Sequence, residues 1–246
     1  MFSKTHSKYI QSLHHKKFRD ADNVFIAEGN KTVPELLAAG NFECKEILAT
    51  AEWLQQNSLF LQKSYHGVVH ELLPHELEKV SALATAGEVL GIFKKKSVEK
   101  TDVKEKISLV LDTIQDPGNL GTIIRIADWF GIENIICSDG CADMYNPKVV
   151  QSTMGSLGRM NIVYTDIVNW LKENKNIKAY SAALNGKPVQ QYKGLKEGLI
   201  VIGNESKGIS NEVMELCAEK ITIPKLGEAE SLNAAVATGI ILSHLT

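Results

Sequence analysis

The sequence predicts an α/β protein built from two domains, on two observations. After Lys106, apolar runs of strand length alternate with helical patterns, which is typical of a parallel sheet covered on both faces. Before that point a charged segment, KKKSVEKTDVKEK, is poor in large apolar residues and lacks periodicity, as a linker would be. We therefore expect a small α/β domain over 1–97, a linker over 98–106 and a larger α/β domain over 107–246.

The N-terminal domain has a mixed pattern of short elements. VFIAEG and CKEILAT predict strands, and KTVPELLAAG between them predicts a helix that ends at Gly40. ELLPHELEKVSAL predicts a helix beginning near Pro74, and GEVLGIFKKK predicts a strand that is followed by lysines.

The first 19 residues carry most of the charge asymmetry. They contain five Lys/Arg, three His and no carboxylate, with Tyr9 and Phe18 between the charges. Tyr9, Ile10 and Leu13 also fit one face of a helix. A solvated amphipathic helix packed on its own domain and a basic rim that meets phosphates both fit this pattern.

In the larger domain, predicted strands and helices alternate regularly. Strands are predicted at ISLVLDTI, ENIICS, NIVYT, KAYSAAL, GLIVIGNES and KITIPK. Helices are predicted near GTIIRIADWFG, NPKVVQSTMGS, DIVNWLKEN, SNEVMELC and SLNAAVATGIILSHL. Because ligands of open parallel sheets bind at the carboxyl ends of the strands, the loops that follow the strands are the candidate site.

Composition excludes few classes of function. The chain has 246 residues, 44% hydrophobic, and a net charge of −2, so it lacks a global basic field, although local patches also bind RNA. Its four cysteines form no CxxC pair and have no histidine at ligand spacing, so we expect buried free thiols and no metal site. No signal-like or membrane-length apolar stretch is present, and we expect a soluble cytoplasmic protein.

The first strand-end loop, QDPGNLGT, makes a tight turn. Pro117 fixes φ, Gly118 permits the turn, and Asn119 or Thr122 is a candidate cap for the helix that follows.

These turn roles leave Arg125 unexplained. Its neighbours in the helix are apolar, so we expect much of the helix to be buried and the cation to need a carboxylate, phosphate or carbonyl partner. An ion pair with Asp112, Asp116 or Asp128 remains open.

The second loop lies in VIGNESKGIS. Gly203 ends a strand, Asn204 and Glu205 face the crevice at the strand end, Gly208 relieves a second turn, and Ser210 is a candidate helix N-cap. The order of a Walker phosphate loop is absent here. No GxGxxG occurs anywhere, which counts against a dinucleotide enzyme.

The third loop lies in ITIPKLGEAESLNAAVA. A strand ends at Pro224 and a helix is predicted to begin near Ser231. Capping by Ser231 would explain one polar residue at that helix start. Capping by Ser231 does not explain why Glu230 and Asn233, two further polar residues, lie at the same helix start.

Together and in this order, the loops resemble the signature motifs DPGNxGxxxR, GNExxG and IPxxGxxESLN of the SpoU (TrmH) family of RNA ribose methyltransferases, within the SPOUT superfamily. The resemblance covers residues 107–246. FRDADNVFIAEGNKTVPELL resembles the small RNA-binding substrate domain, related to a ribosomal-protein fold, of many rRNA-modifying members. One departure is Ser206, which stands where a glycine often follows the glutamate.

The resemblance implies a SPOUT domain with a deep C-terminal trefoil knot, S-adenosylmethionine as cofactor, and a homodimer whose active site is completed across the interface. The catalytic positions that it implies are Arg125, Asn119, Glu205, Ser231 and Asn233. The adenosine is expected to rest on backbone near Leu184, Gly203, Ile223 and Leu232.

The expected activity is methylation of a ribose 2′-hydroxyl in structured RNA, ribosomal RNA in preference to transfer RNA. On this hypothesis Arg125 meets the phosphate beside the target ribose, because a guanidinium stays protonated and is a poor free base. Asn119 and Glu205 would hold the loops and the dimer-related arginine, while Ser231 and Asn233 would order the third loop. A binding-only relative, a base methyltransferase and a nucleotide-dependent oxidoreductase are the alternatives.

Overall fold

A computed structural model describes residues 2–97 and 101–246, and the chain divides into two compact units. One contains Met1–Ser97 with Met144–Arg159, and the other contains Val98–Asp143 with Met160–Thr246. The predicted linker begins with residues 98–100, which lie outside the described residues, so the domain boundaries stay a prediction. Val103, a few residues later, packs in the core of the second unit.

The structure contains eleven α-helices and ten β-strands within the described residues. The helices are α1 (Lys4–Ser12), α2 (Lys16–Asp22), α3 (Thr32–Ala39), α4 (Ala51–Gln56), α5 (Ser58–Ser64), α6 (Pro74–Val80), α7 (Pro117–Trp129), α8 (Pro147–Thr153), α9 (Ile167–Glu173), α10 (Asn211–Met214) and α11 (Ala234–Leu245). The strands are β1 (Val24–Glu28), β2 (Cys44–Ala49), β3 (Val68–Glu71), β4 (Val89–Lys94), β5 (Ile107–Asp112), β6 (Asn134–Cys137), β7 (Asn161–Tyr164), β8 (Ala179–Pro188), β9 (Gly198–Gly203) and β10 (Glu219–Thr222).

The first unit is a four-stranded mixed sheet in the order β1-β4-β2-β3, with β2 and β3 parallel and the other pairs antiparallel. The three strands predicted here are confirmed. So is the helix that ends at Gly40, whose φ of 67° is left-handed and suits a residue without a Cβ. The sequence did not predict β3, a four-residue edge strand with mostly exposed side chains, because it lacks a buried face.

The N-terminal basic segment folds as α1 and α2 on its own unit. Ile10 and Leu13 are completely buried in the core, and Tyr9 packs beside them, as the helical pattern predicts. Lys4 and Lys8 lie on the exposed side of α1. The packed amphipathic helix and the basic rim that meets phosphates are therefore compatible interpretations, because α1 packs through its apolar face and exposes its basic face.

Met144–Arg159 comes from the C-terminal half of the sequence but packs within the first unit. The ring of Tyr145 lies 4.8 Å from that of Phe25, centroid to centroid. Arg159 forms an ion pair with Glu35 at 2.8 Å.

The second unit is a six-stranded sheet in the order β10-β8-β9-β5-β6-β7, and every pairing in it is parallel. All six residues of the central strand β5 are buried, as are the first five of β9. This confirms the predicted parallel sheet with both faces covered. Because the strands are parallel, the loops after β5, β9 and β10 leave the same edge of the sheet.

The four cysteines are free thiols, but only Cys137 is fully buried; the other three are half-buried, contrary to the expectation. Within the described ranges, no helix has both the length and the apolarity needed to cross a membrane.

Candidate functional site

Asp116, not Asn119, is the N-cap of α7 in the first loop. The carboxylate of Asp116 accepts the backbone N–H of Asn119 at 2.8 Å, and Pro117 occupies the first helical position. The prediction that Asn119 or Thr122 caps this helix is therefore wrong. The Thr122 hydroxyl donates instead to the carbonyl of Gly118, and the side chain of Asn119 is left free for other partners.

The Asn119 side chain joins the three strand-end loops. Its amide nitrogen donates to Oε1 of Glu205 at 2.7 Å, and its amide oxygen accepts from Nδ2 of Asn233 at 2.8 Å. An amide side chain can donate to a carboxylate through its nitrogen and accept from a second amide through its oxygen at once. One residue from each of the three motifs thus meets in a single exposed network, which we call the Asn119 network.

The second loop is held in shape by Asn204. Its amide nitrogen donates to the carbonyl of Thr113 at 2.8 Å. Its oxygen accepts the backbone N–H groups of Ser206 at 2.9 Å and Lys207 at 3.0 Å. Ser206 therefore fits the loop in place of glycine, and its φ is not positive. Asn204 was given no role from the sequence, although its position directly after a strand-ending glycine was a usable signal.

Gly203 is required by a close approach of two backbone segments. A Cβ built on it would lie 2.3 Å from the carbonyl carbon of Gly208 and 2.4 Å from the nitrogen of Ile209. Asn204 and Gly208 pair through two backbone hydrogen bonds of 3.0 and 2.9 Å. The loop consequently folds back tightly on the end of β9, which directs Glu205 towards Asn119.

A buried carboxylate anchors the end of β5. Asp112 accepts the hydroxyl of Thr113 at 3.0 Å and the backbone N–H of Ser210 at 2.8 Å. Thr113 has a φ of 61°, a left-handed conformation that is uncommon for a branched residue. Ser210 occupies the predicted N-cap position of α10, but its side chain makes no capping hydrogen bond.

The third loop ends later than predicted, because α11 begins at Ala234 rather than near Ser231. Asn233 is its N-cap and accepts the N–H groups of Ala235 at 2.9 Å and Val236 at 3.2 Å. Asn233 therefore caps the helix and reaches Asn119 with the same side chain. Ser231 is exposed and makes no hydrogen bond with any residue that the structure describes.

Arg125 lies on the exposed face of α7, while Ile123, Ile124 and Ala127 are buried on the other face. It makes no hydrogen bond or ion pair with the residues that the structure describes. The expectation that this cation lies in a buried helix face is therefore wrong, and of the partners left open, the ion pair with Asp112, Asp116 or Asp128 does not form. The helix is apolar on one side only, and the guanidinium is available to a ligand.

The positions predicted for the cofactor lie at the same edge of the sheet. The hydroxyl of Thr222, at the end of β10, donates to the carbonyl of Leu184 at 3.1 Å and approaches that of Ile223 at 3.4 Å. The side chains of Leu184 and Leu232 are 74% and 48% exposed, so apolar surface is open beside these carbonyls. The assignment of these residues and of Gly203 to the cofactor stays a prediction.

Cys141 is the most readily ionised of the thiols whose pKa is shifted. A hydrogen bond from Cys137, aided by Ser138 and by the backbone N–H of Ile114, lowers the pKa of Cys141 to about 7 despite its burial. The same hydrogen bond and complete burial raise the pKa of Cys137 well above its usual range. The Ile114 N–H lies 3.3 Å from the Cys141 sulfur, which supports the turn that leads into the first loop.

Residues 106–243 match the model of the SpoU rRNA Methylase family, and residues 4–91 match that of the MRM3-like substrate binding domain. The first match spans more than half of the chain and contains all three loops. The chain belongs to the SpoU rRNA methylase family.

Relatives of this SpoU chain match over nearly its full length. The 23S rRNA (guanosine(2553)-2'-O)-methyltransferase RlmP of Bacillus subtilis is 33% identical over 239 residues, or 96% of this chain and 93% of the relative. A TrmH-family protein structure from Porphyromonas gingivalis has a TM-score of 0.88 at 34% identity, covering 100% of this chain and 98% of that one. The AdoMet-bound rRNA methyltransferase of Sinorhizobium meliloti has a TM-score of 0.87 at 28% identity, covering 100% and 96%.

Exchanging Gly203 for alanine should loosen the second loop of this SpoU domain. The added methyl group would meet backbone on both sides, so we expect Gly203→Ala to reduce the free energy of unfolding by about 1–3 kcal/mol. Gly227→Ala is the matched control, because a Cβ there meets nothing within 4 Å. Urea unfolding of both variants measures the difference, and equal stabilities would contradict the close approach.

Proposed function

We propose that this protein is an RNA methyltransferase that transfers a methyl group from S-adenosylmethionine to a ribose 2′-hydroxyl. The observation that carries the proposal is the Asn119 network, which assembles one residue from each of the three motif loops at the carboxyl edge of a parallel sheet. A relative named as a 2'-O-methyltransferase and an AdoMet-bound structural neighbour support the reaction and the cofactor.

The exposed chemistry of the sheet edge fits that cofactor. Leu184 and Leu232 offer open apolar surface of the kind an adenine ring covers, beside the carbonyls of Leu184 and Ile223. Gly203 lets the second loop close over the end of β9 at this edge. When bound, S-adenosylmethionine supplies the methyl group on a sulfonium, which leaves as a neutral thioether.

Arg125 has the properties of a phosphate anchor. It is exposed, projects from the helix that follows the first loop, and makes no ion pair with the described residues. A guanidinium binds phosphate through two parallel hydrogen bonds, which would fix the neighbouring ribose. A guanidinium is a poor proton acceptor, so this contact orients the 2′-hydroxyl, and the proton passes to the phosphate or to solvent as the new oxygen–carbon bond forms.

The remaining motif residues keep the loops in register. Asn119 and Glu205 hold the first and second loops together and can receive an arginine from a second protomer. Asn233 ties the third loop to them, and Ser231, whose hydroxyl is exposed, is available to order that loop once cofactor and RNA are bound.

Removing the guanidinium should abolish most of the transfer. We expect Arg125→Ala to lower the single-turnover rate by at least about 100-fold, since a charge-assisted contact to the reacting nucleotide is lost. Lys172→Ala, at an exposed cation of α9, should stay within about two-fold of the unchanged protein. The measurement is transfer from methyl-labelled cofactor to ribosomal RNA.

Mass spectrometry of the nucleosides from the same reactions identifies the product. A label on the ribose supports the proposal, whereas a label on a base would indicate a base methyltransferase. RNA binding without transfer to any RNA would indicate a binding-only relative. An Arg125→Ala rate within a few-fold of the unchanged protein would remove Arg125 from the reaction.

Ribosomal RNA is the substrate class we propose, in preference to transfer RNA. The B. subtilis relative, aligned over 96% of this chain, is named for a 23S rRNA nucleotide. The N-terminal match to a substrate binding domain gives the chain a second surface with which to select a large structured RNA. This proposal places the protein in the cytoplasm with its substrate.

The exposed lysines of α1 and α2, Lys4, Lys8 and Lys17, form the proposed phosphate-binding surface of that domain. Deleting residues 1–19 would remove the buried Ile10 and Leu13 and damage the fold, so charge removal is the cleaner test. We expect Lys4→Gln, Lys8→Gln and Lys17→Gln together to weaken RNA binding and to reduce the salt slope of log K by roughly two to three. The same exchanges at Lys31, Lys63 and Lys79 are the charge-matched control, and equal slopes would leave α1 as a solvated helix.

We further propose that the protein is a homodimer through α7 and α11. These two helices pack together in the second unit, and both expose large apolar side chains, with Trp129 84% and Val236 51% exposed. Such residues are costly on the surface of a monomer when they cluster. A dimer here would also bring a second Arg125 near the Asn119 network.

Light scattering tests this dimer. The unchanged protein should have twice the mass of one chain, and Trp129→Glu should shift it towards the monomer because a carboxylate would be buried at the interface. Leu59→Glu, at a 73% exposed position of the first unit, is the control and should remain dimeric. A monomer at micromolar concentration for the unchanged protein would refute the proposal.

We infer that the segment after β10 forms the deep trefoil knot of the SPOUT superfamily. Two features support it. The last helix, α11, follows the edge strand β10 yet packs on α7, which follows the central strand β5. The loop between β10 and α11 also returns Asn233 to Asn119.

A further inference from the structure

Two histidines and a glutamate meet on the first unit, far from the motif loops in sequence. Nε2 of His6, on α1, lies 2.8 Å from Oε2 of Glu46, on β2. Nε2 of His70, on β3, lies 3.2 Å from the same oxygen. One ligand atom from each residue lies within 4.8 Å of the other two, and we call this set the His6–Glu46–His70 cluster.

The separations are close to those of a tetrahedral metal site. Zinc bonds to histidine nitrogen and carboxylate oxygen are about 2.0–2.2 Å long, so two ligand atoms of a tetrahedral site lie roughly 3.4 Å apart. The Glu46 oxygen lies 2.8 and 3.2 Å from the two nitrogens, about 0.6 and 0.2 Å less than that value, and the two nitrogens lie within 4.8 Å of each other, differences that side-chain rotations absorb.

The backbone that carries the ligands is well fixed. Glu46 and His70 lie on adjacent parallel strands, where Glu46 pairs with Val68 and Leu48 with His70. Ile10, one turn after His6 on α1, is completely buried in the core of the unit. The three ligands therefore come from three elements that are positioned by packing and pairing, independently of the cluster itself.

The chemistry of the set suits a divalent transition metal. The side chains are 26%, 24% and 35% exposed for His6, Glu46 and His70, so the site is half-buried, and three protein ligands leave one position of a tetrahedral site for water. Two imidazoles and one carboxylate with an open fourth position form a common zinc-binding arrangement. Imidazole nitrogen selects against magnesium and calcium, which prefer oxygen ligands.

We propose that the His6–Glu46–His70 cluster is a zinc-class metal site that fastens α1 to the edge of the N-terminal sheet. On binding, the metal takes the Nε2 lone pair of each neutral imidazole, and each ring then carries its single proton on Nδ1. The site lies on the same helix as Lys4 and Lys8. Metal binding therefore sets how firmly the basic face of α1 is held.

Metal binding to the full-length protein, freed of any histidine tag, tests the proposal. With Zn²⁺ or Co²⁺ we expect one metal per chain, a rise in melting temperature, and for Co²⁺ the visible absorption bands of a four-coordinate site. Mg²⁺ should produce none of these. Hydrogen exchange of the α1 amides should slow when Zn²⁺ is present, because the metal ties His6 to the sheet.

Variants separate the cluster from scattered surface histidines. His70→Gln and Glu46→Gln should each weaken binding by at least about ten-fold while leaving the far-ultraviolet circular dichroism unchanged. His75→Gln, at an exposed histidine of α6, should bind as the unchanged protein does. Absence of Zn²⁺ and Co²⁺ binding, equal binding by His70→Gln, or an equal loss in His75→Gln would each overturn the proposal.

Discussion

The arrangement of the catalytic unit depends on the two hydrogen bonds of one amide side chain. Asn119 donates to Glu205 and accepts from Asn233, and these partners lie 86 and 114 residues away along the chain. The neutral bond to Asn233 contributes about 0.5–1.5 kcal/mol and the bond to the Glu205 carboxylate about 1.5–3 kcal/mol at most, so the network is a small part of the global stability. Its effect is geometric, since it sets three loops against one another at the edge where a parallel sheet binds its ligands.

Hydrogen bonds beneath the Asn119 network hold the backbones of the first and second loops in place. The buried carboxylate of Asp112 holds Ser210, and Asn204 holds Thr113 in a left-handed conformation. A polar network on the surface is therefore supported by buried or half-buried polar contacts underneath it. This division leaves the exposed guanidinium of Arg125 unengaged by the described protein residues, as the proposed phosphate contact requires.

The helix α1 of the first unit has three faces with different chemistry. The apolar side of α1 buries Ile10, its basic side exposes Lys4 and Lys8, and His6 meets Glu46 and His70 at the edge of the sheet. A nine-residue helix is marginal alone, so its stability comes from these tertiary contacts. Phosphate binding by Lys4 and Lys8, as proposed, would therefore depend on the packing of Ile10 that holds the helix in place.

The sequence by itself determined the α/β class, the parallel sheet and the three motif loops, because apolar periodicity and short motifs are local properties. Sequence reasoning assigned the wrong N-caps to α7 and α11 and wrongly predicted a buried Arg125. Capping partners and helix faces depend on where neighbouring elements pack. Only the tertiary structure decided that Asn119, Glu205 and Asn233 share hydrogen bonds and that His6, Glu46 and His70 converge. Contacts across tens of residues follow from strand order and packing, which no local pattern encodes.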